Sequence, residues 1–168
     1  MKILNLTCLL PVLLLAACGG KTKSLEHEVV LNLNCSGPIL EGSNTAAPEF
    51  KNFMDSLLKA NGFKAEQLQS VKLVAASLTT EDSAGFDVAT TATMSMLTPK
   101  ADIQEVAVLN PLPKGSKSIT LKTSDERELR DYFSEQNISM VCDLNFAQDR
   151  EADFNMKGNF RFRVLVKE

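Results

Sequence analysis

Ile138-Ser-Met140-Val-Cys142-Asp-Leu144-Asn-Phe146 and Phe160-Arg-Phe162-Arg-Val164-Leu-Val166 decide the fold class. In the first stretch apolar side chains fall on every second position, with Val141 the one interruption. In the second, Phe160, Phe162, Val164 and Val166 stand opposite Arg161, Arg163 and Lys167. A period of two sends alternate side chains to opposite faces, which is the mark of a half-buried strand.

The same period recurs upstream. Leu25 to Ser36 places Val29, Leu31, Leu33 and Cys35 on one face, and Gly37-Pro38 ends the run. Further strands are expected over Ser70 to Thr80, Phe86 to Leu97, Ile103 to Asn110 and Ser118 to Lys122. In the second of these, Phe86, Val88, Thr90, Ala92, Met94 and Met96 share a side. Two short helices interrupt them. One starts near Pro48, with Phe50, Phe53, Met54, Leu57 and Leu58 on one face, and closes at Asn61-Gly62 with Phe63 packing back. The other starts at Thr123, with Glu126 completing a capping box and Leu129, Tyr132 and Phe133 buried.

Seven strands with one apolar face each need a second layer to cover them. The expectation is a mainly β, two-layer β-sandwich with two short helices, resembling immunoglobulin-like or fibronectin-like domains by pattern alone. That analogy carries no function.

Composition narrows the classes. The 168 residues are 44% apolar and 23% charged, which is globular usage. Eighteen basic against 21 acidic residues give a net charge of −3, which gives no support to nucleic-acid binding. With no Trp, one Tyr and one His, the residue types that crowd active sites are scarce.

Residues 1–17 read as a targeting segment. Met1-Lys2 is a short positive start, and the nearly apolar run Ile3 to Ala17 is shorter than the ~20 residues of a bilayer span. Leu15-Ala16-Ala17-Cys18 then resembles the lipobox of bacterial lipoproteins. The resemblance implies cleavage between Ala17 and Cys18 and a diacylglyceryl group on the Cys18 thiol. Gly19, rather than Asp, after the anchor implies the outer membrane. Residues 18–24 read as the lipidated Cys and a flexible tether, and 25–168 as a single sandwich domain.

Candidate sites outside the anchor are few. Cys35 and Cys142 both lie in inward-facing sets, and in an oxidising periplasm they are a candidate disulfide. Closing a loop of that length contributes about 4–5 kcal/mol in the chain-entropy model. Two buried free thiols acting as small hydrophobes are the alternative. Asp149, Glu151, Asp153 and Asn155 alternate as in a calcium loop, but Phe154 stands at the turn glycine's place and Phe160 at the bidentate Glu's. A solvated acidic loop is the better reading, and no metal is expected. His27 is a polar residue at a strand start.

Arg161, Arg163 and Lys167 form a basic stripe, either a surface-binding candidate or protection of an edge strand. Asp82-Ser83-Ala84 resembles the O-glycosylation sites of some exported bacterial proteins, with Ser83 as acceptor. A nucleophile elbow and a glycine-rich phosphate loop are both missing from the sequence.

These features point to a lipid-anchored envelope lipoprotein acting as a non-catalytic binding or structural module, without a cofactor. Its partners would be the membrane, through the anchor, and an envelope protein or glycan. The competing readings are a small envelope hydrolase whose carboxylates the fold assembles, and a carrier of a hydrophobic ligand between the sheets.

Overall fold

The computed structural model describes residues 21–168; the expected signal segment and the expected cleavage and lipidation site at Ala17 and Cys18 lie outside the described residues. Among the described residues nine strands follow one another: β1 (Thr22–Cys35), β2 (Gly42–Ala46), β3 (Glu49–Lys51), β4 (Leu68–Thr79), β5 (Ala89–Leu97), β6 (Gln104–Leu109), β7 (Ser118–Thr123), β8 (Asn137–Phe146) and β9 (Phe154–Lys167). An α-helix, α1 (Met54–Ala60), follows β3.

The strands form one antiparallel sheet in the order β1-β9-β4-β7-β6-β5-β8-β2, with β3 also pairing β8. β7 turns the sheet over. Its residues Ser118–Leu121 pair with β4, while Lys122 and Thr123 pair with Val108 and Ala107 of β6. The sheet therefore curls into a half-barrel whose two walls face each other across a single core. Its outermost strands, β1 and β2, approach each other without a ladder between them.

The alternating sets close this core as their period requires. Ile138, Met140, Cys142, Leu144 and Phe146 of β8 are 0–1% exposed, as are Phe160, Phe162, Val164 and Val166 of β9. Each such side chain contributes about 1.5–3 kcal/mol relative to exposure. Phe50, Phe53, Phe133 and Phe162 pack together where β1 begins, and Phe86 and Phe146 meet Phe154 edge-on at the other end. The interior between these two aromatic groups is filled by aliphatic and methionine side chains.

Several expectations are corrected. Pro48 does not open a helix: Glu49–Lys51 pairs with Asn137–Ser139, and α1 starts at Met54, whose amide donates to Asn52 Oδ1 at 2.8 Å. Strand pairing wins because Phe50 is buried opposite Ile138. The expected end of this helix is observed. Gly62 (φ +78°) lets the Phe63 amide reach Leu58 O and its own amide reach Lys59 O.

The helix expected from Thr123 does not form. Thr123 instead ends β7, and only Arg130–Ser134 coils, as a 3-10 turn. Leu129, Tyr132 and Phe133 are buried nonetheless. Phe86 sits in a 3-10 turn, Gly85–Val88, before β5; a register shift near Thr90 then leaves that residue exposed and buries Ala89. At the N-terminal side, Thr22–Ser24 are not tether. They pair with Leu165–Lys167 of β9.

Candidate functional site

Three regions carry polar side chains in a defined arrangement. The first is the outer face of β1-β9-β4, which no helix covers among the described residues. Arg161 and Arg163 do not protect an edge, because β9 lies between β1 and β4. They reach across to Glu26 of β1, at 3.8 and 3.4 Å, with every partner about half exposed. Pairs this exposed contribute at most about 1 kcal/mol. Lys167 lies in the same strand, opposite Thr22.

Farther along the same face runs an open groove of about 490 Å³ lined by Asn32, Asn34, Thr79, Glu81, Asn155 and Lys157. Asn34 Nδ2 donates to Asn155 Oδ1 at 2.7 Å and to Asp153 Oδ2 at 3.2 Å, and Ser36 Oγ donates to Asn34 Oδ1. The groove thus has a hydrogen-bonded floor of amides, each offering donors and an acceptor.

The second region is the clasp at the far end, where the loop after β1 meets the loop before β9. Ile39 and Arg150 exchange two backbone hydrogen bonds of 2.8 and 2.9 Å. Asp149 accepts from the Glu41 amide (2.7 Å) and Asp153 from the Gly37 amide (2.8 Å). The acidic run is therefore neither a calcium loop nor a merely solvated one. Two of its carboxylates bind backbone amides, and the amide of Gly37 with the Asn34 side chain holds the Asp153 carboxyl below its ordinary range. Arg150 Nη2 meets Asp82 Oδ2 at 2.7 Å, and its guanidinium lies over the Phe154 ring. That hydrogen bond holds the Asp82 carboxyl low. Ser83 is exposed on the turn beside Asp82.

The third region is a depression of about 400 Å³ where β5 turns into β6, bordered by Lys100, Asp102, Glu128, Asp131 and Tyr132. Tyr132 Oη donates to the Asp102 carbonyl. Burial and the neighbouring Asp102 and Asp131 push its phenol up. Burial also pushes the Glu128 carboxyl up, but hydrogen bonds from Ser70 Oγ (2.6 Å) and from the Val71 and Arg130 amides (2.9 Å each) outweigh it and hold it low. Lys100 Nζ meets Glu135 Oε1 at 2.6 Å, the one charged contact to that otherwise unpartnered oxygen.

The remaining candidates fall as follows. Cys35 and Cys142 are both buried and both stand as free thiols. Burial and the nearby Asp143 push the Cys35 thiol up to about 11, and burial raises Cys142 as well. His27 stacks on Phe53 at 3.9 Å, and burial lowers its basicity. Reading the sequence alone overlooks Arg150 and Glu128. Their partners lie 68 and 57–58 residues away, so only the folded chain brings them together.

No protein-family model and no curated protein sequence matches this chain. Solved structures similar to it include two capsid proteins. A BFDV capsid protein, in a 60-mer, shares 10% identity over 89% of this chain and 95% of its own, with a TM-score of 0.41. The capsid of the Helicobacter pylori bacteriophage KHP30, in an acidic stable form, shares 13% identity over 88% and 95%, with a TM-score of 0.31. Likeness at that level says nothing of activity or partners.

Proposed function

We propose that this chain is a lipid-anchored envelope lipoprotein whose domain acts as a non-catalytic binding or structural module. The observation that carries the reading is Leu15-Ala16-Ala17-Cys18 at the end of a short apolar run, four residues before the first strand. The engaged carboxylates support the non-catalytic part. Asp82, Glu128, Asp149 and Asp153 each accept hydrogen bonds or ion pairs that tie segments of the fold together. The amide groove on the β1-β9-β4 face is the surface offered to an envelope protein or glycan. Membership of the outer membrane and modification at Ser83 belong to the same proposal.

The immunoglobulin-like type is the finer part of the architectural reading. The two facing walls support a two-layer arrangement, and the β6–β7 ladder joining them is the feature that type has to accommodate. Packed with aliphatic and aromatic side chains in one contiguous cluster, the interior does not favour the hydrophobic-ligand reading. One observation favours the hydrolase reading: Asp102 and Asp131 flank a Tyr132 phenol at an open depression.

The anchor is tested by Cys18→Ser in cells fed radiolabelled palmitate. Expected are loss of label and release of the protein from pelleted membranes. A variant that still sediments with membranes would overturn the lipoprotein reading.

A further inference from the structure

The strand β1 begins at Thr22, so only Gly19, Gly20 and Lys21 separate it from Cys18. At no more than about 3.6 Å per residue, that connection spans roughly 14 Å at full stretch. One end of the half-barrel is therefore tied close to whatever Cys18 is tied to. The residues at that end follow from the pairing. The Glu168 amide donates to Lys21 O, Val71 of β4 and Leu25 of β1 both sit opposite Val164, and the Leu129 amide donates to Val71 O. From there Tyr132 reaches Asp102, and Glu135 reaches Lys100. The turn between β5 and β6 thus lies at the same end as the start of β1.

Of the four large apolar side chains exposed among the described residues, two lie at that turn, Val30 lies midway along β1 and Leu40 beyond its far end. Ile103 is 59% exposed and Leu97 38%, with Pro99 exposed between them and Lys100 beside it. Leu40, the other exposed leucine, lies beyond the far end of β1, fourteen strand residues or roughly 45 Å away along the strand. An exposed apolar tip beside a lysine suits a bilayer interface, where apolar side chains enter the headgroup boundary and lysines stay with the phosphates.

We propose that the β5–β6 turn, through Leu97, Pro99 and Ile103, seats on the lipid surface to which Cys18 is anchored. The domain then stands end-on, with the clasp and its loops pointing away from the bilayer. This rests on the lipid-anchor reading, which supplies the tie at Cys18.

The absence of Trp from the sequence makes the test clean. The lipidated full chain carrying Ile103→Trp is reconstituted into phosphatidylethanolamine–phosphatidylglycerol vesicles containing brominated phosphatidylcholine. Leu40→Trp serves as the far-end reporter and Pro99→Trp as a second near-end one, each checked for native circular dichroism. Expected are co-sedimentation of all three, with loss and blue shift of emission at 103 and 99 and unchanged emission at 40. Co-sedimentation with no quenching at 103 and 99, or with equal quenching at 40, overturns the seating and leaves the anchor standing. Failure to co-sediment overturns both.

Discussion

Replacing Gly158 by Ala pits two effects of opposite sign against each other. A glycine inside a strand destabilises by about 0.5–1 kcal/mol relative to alanine, so backbone entropy favours the substitution. The structure opposes it. A Cβ at position 158 would lie 2.6 Å from both Cε2 and Cζ of Phe160 and 2.8 Å from Leu33 Cδ1. Carbon contacts settle near 3.5–4.0 Å, so the overlap is about 1 Å. Neither neighbour can retreat into solvent, since Phe160 is 0% and Leu33 1% exposed. Overpacking of this kind costs about 1–3 kcal/mol and outweighs the entropic gain.

The expected net loss is about 1–2 kcal/mol, a fall in Tm of roughly 3–8 °C at this chain length. Urea unfolding followed by far-ultraviolet circular dichroism measures it as a lower midpoint at unchanged slope. Leu33→Ala in the same chain removes one of the clashing groups, so the double variant should lose less than the two single losses added. A Gly158→Ala midpoint equal to or above that of the parent would refute the packing argument, because relief of the glycine would then have won.

Acid should weaken the fold through several groups acting in one direction. His27 is held below its ordinary 6.5 by burial, and Asp82, Glu128 and Asp153 below their ordinary 3.8, 4.5 and 3.8, so the unfolded chain takes up protons first. Stability is full above the unfolded values and is lost as pH falls through the folded ones. Tm should begin to drop below about 6.5 and fall further below about 4.5; His27→Asn should abolish the first drop, and a Tm that rises on acidification would contradict the assignment. The thiols offer a second check. With Cys35 pushed up to about 11 and Cys142 fully buried, neither of these two positions should take up iodoacetamide in the native protein at mildly alkaline pH, as read by peptide mass mapping. Alkylation at Cys35 or Cys142 of the native chain would show that these positions open, and unfolding without reductant then separates two free thiols, which react, from the candidate disulfide, which does not.

What the sequence discloses is whatever is encoded locally. The buried faces of β8 and β9 are legible because a period of two needs no knowledge of partners. The Asn61-Gly62 ending is legible because the left-handed turn is written in one residue. Leu129, Tyr132 and Phe133 illustrate the boundary: their burial is predicted and observed, yet in a 3-10 turn and not in a helix. Thr123 was available to cap a helix, but the fold commits it to a ladder with Ala107 of β6. Strand order is the larger omission. An alternating strand carrying arginines on its outer face reads equally well at an edge or in the interior. Only the pairing of β9 with both β1 and β4 turns Arg161 and Arg163 from edge guards into partners of Glu26.

The acidic run before β9 shows why a ligand pattern and a structural one can share the same spelling. Carboxylates on alternate positions are what an ion needs, and also what two adjacent loops with unpaired amides need. Here the loop after β1 crosses toward β2 while the loop before β9 crosses back from β8, so both pass over the side of the half-barrel where β1 and β2 fail to pair. Gly37 shows how closely they pass, since a Cβ there would lie 2.1 Å from the carbonyl oxygen of Glu151. Loops pressed that near bring backbone amides of one within reach of carboxylates of the other, in hydrogen bonds that stay exposed to water. Asp149 and Asp153 meet two such amides, and Arg150 is pinned between by Asp82 and the Phe154 ring. Of the four oxygen-bearing residues that resemble a cation site, Asp149 and Asp153 hold the β1–β2 loop, and Asn155 joins Asp153 on the Asn34 amide at the floor of the groove. A clasp of this kind holds the open side of the sheet together at the end of β1 far from Thr22, beside the amide groove.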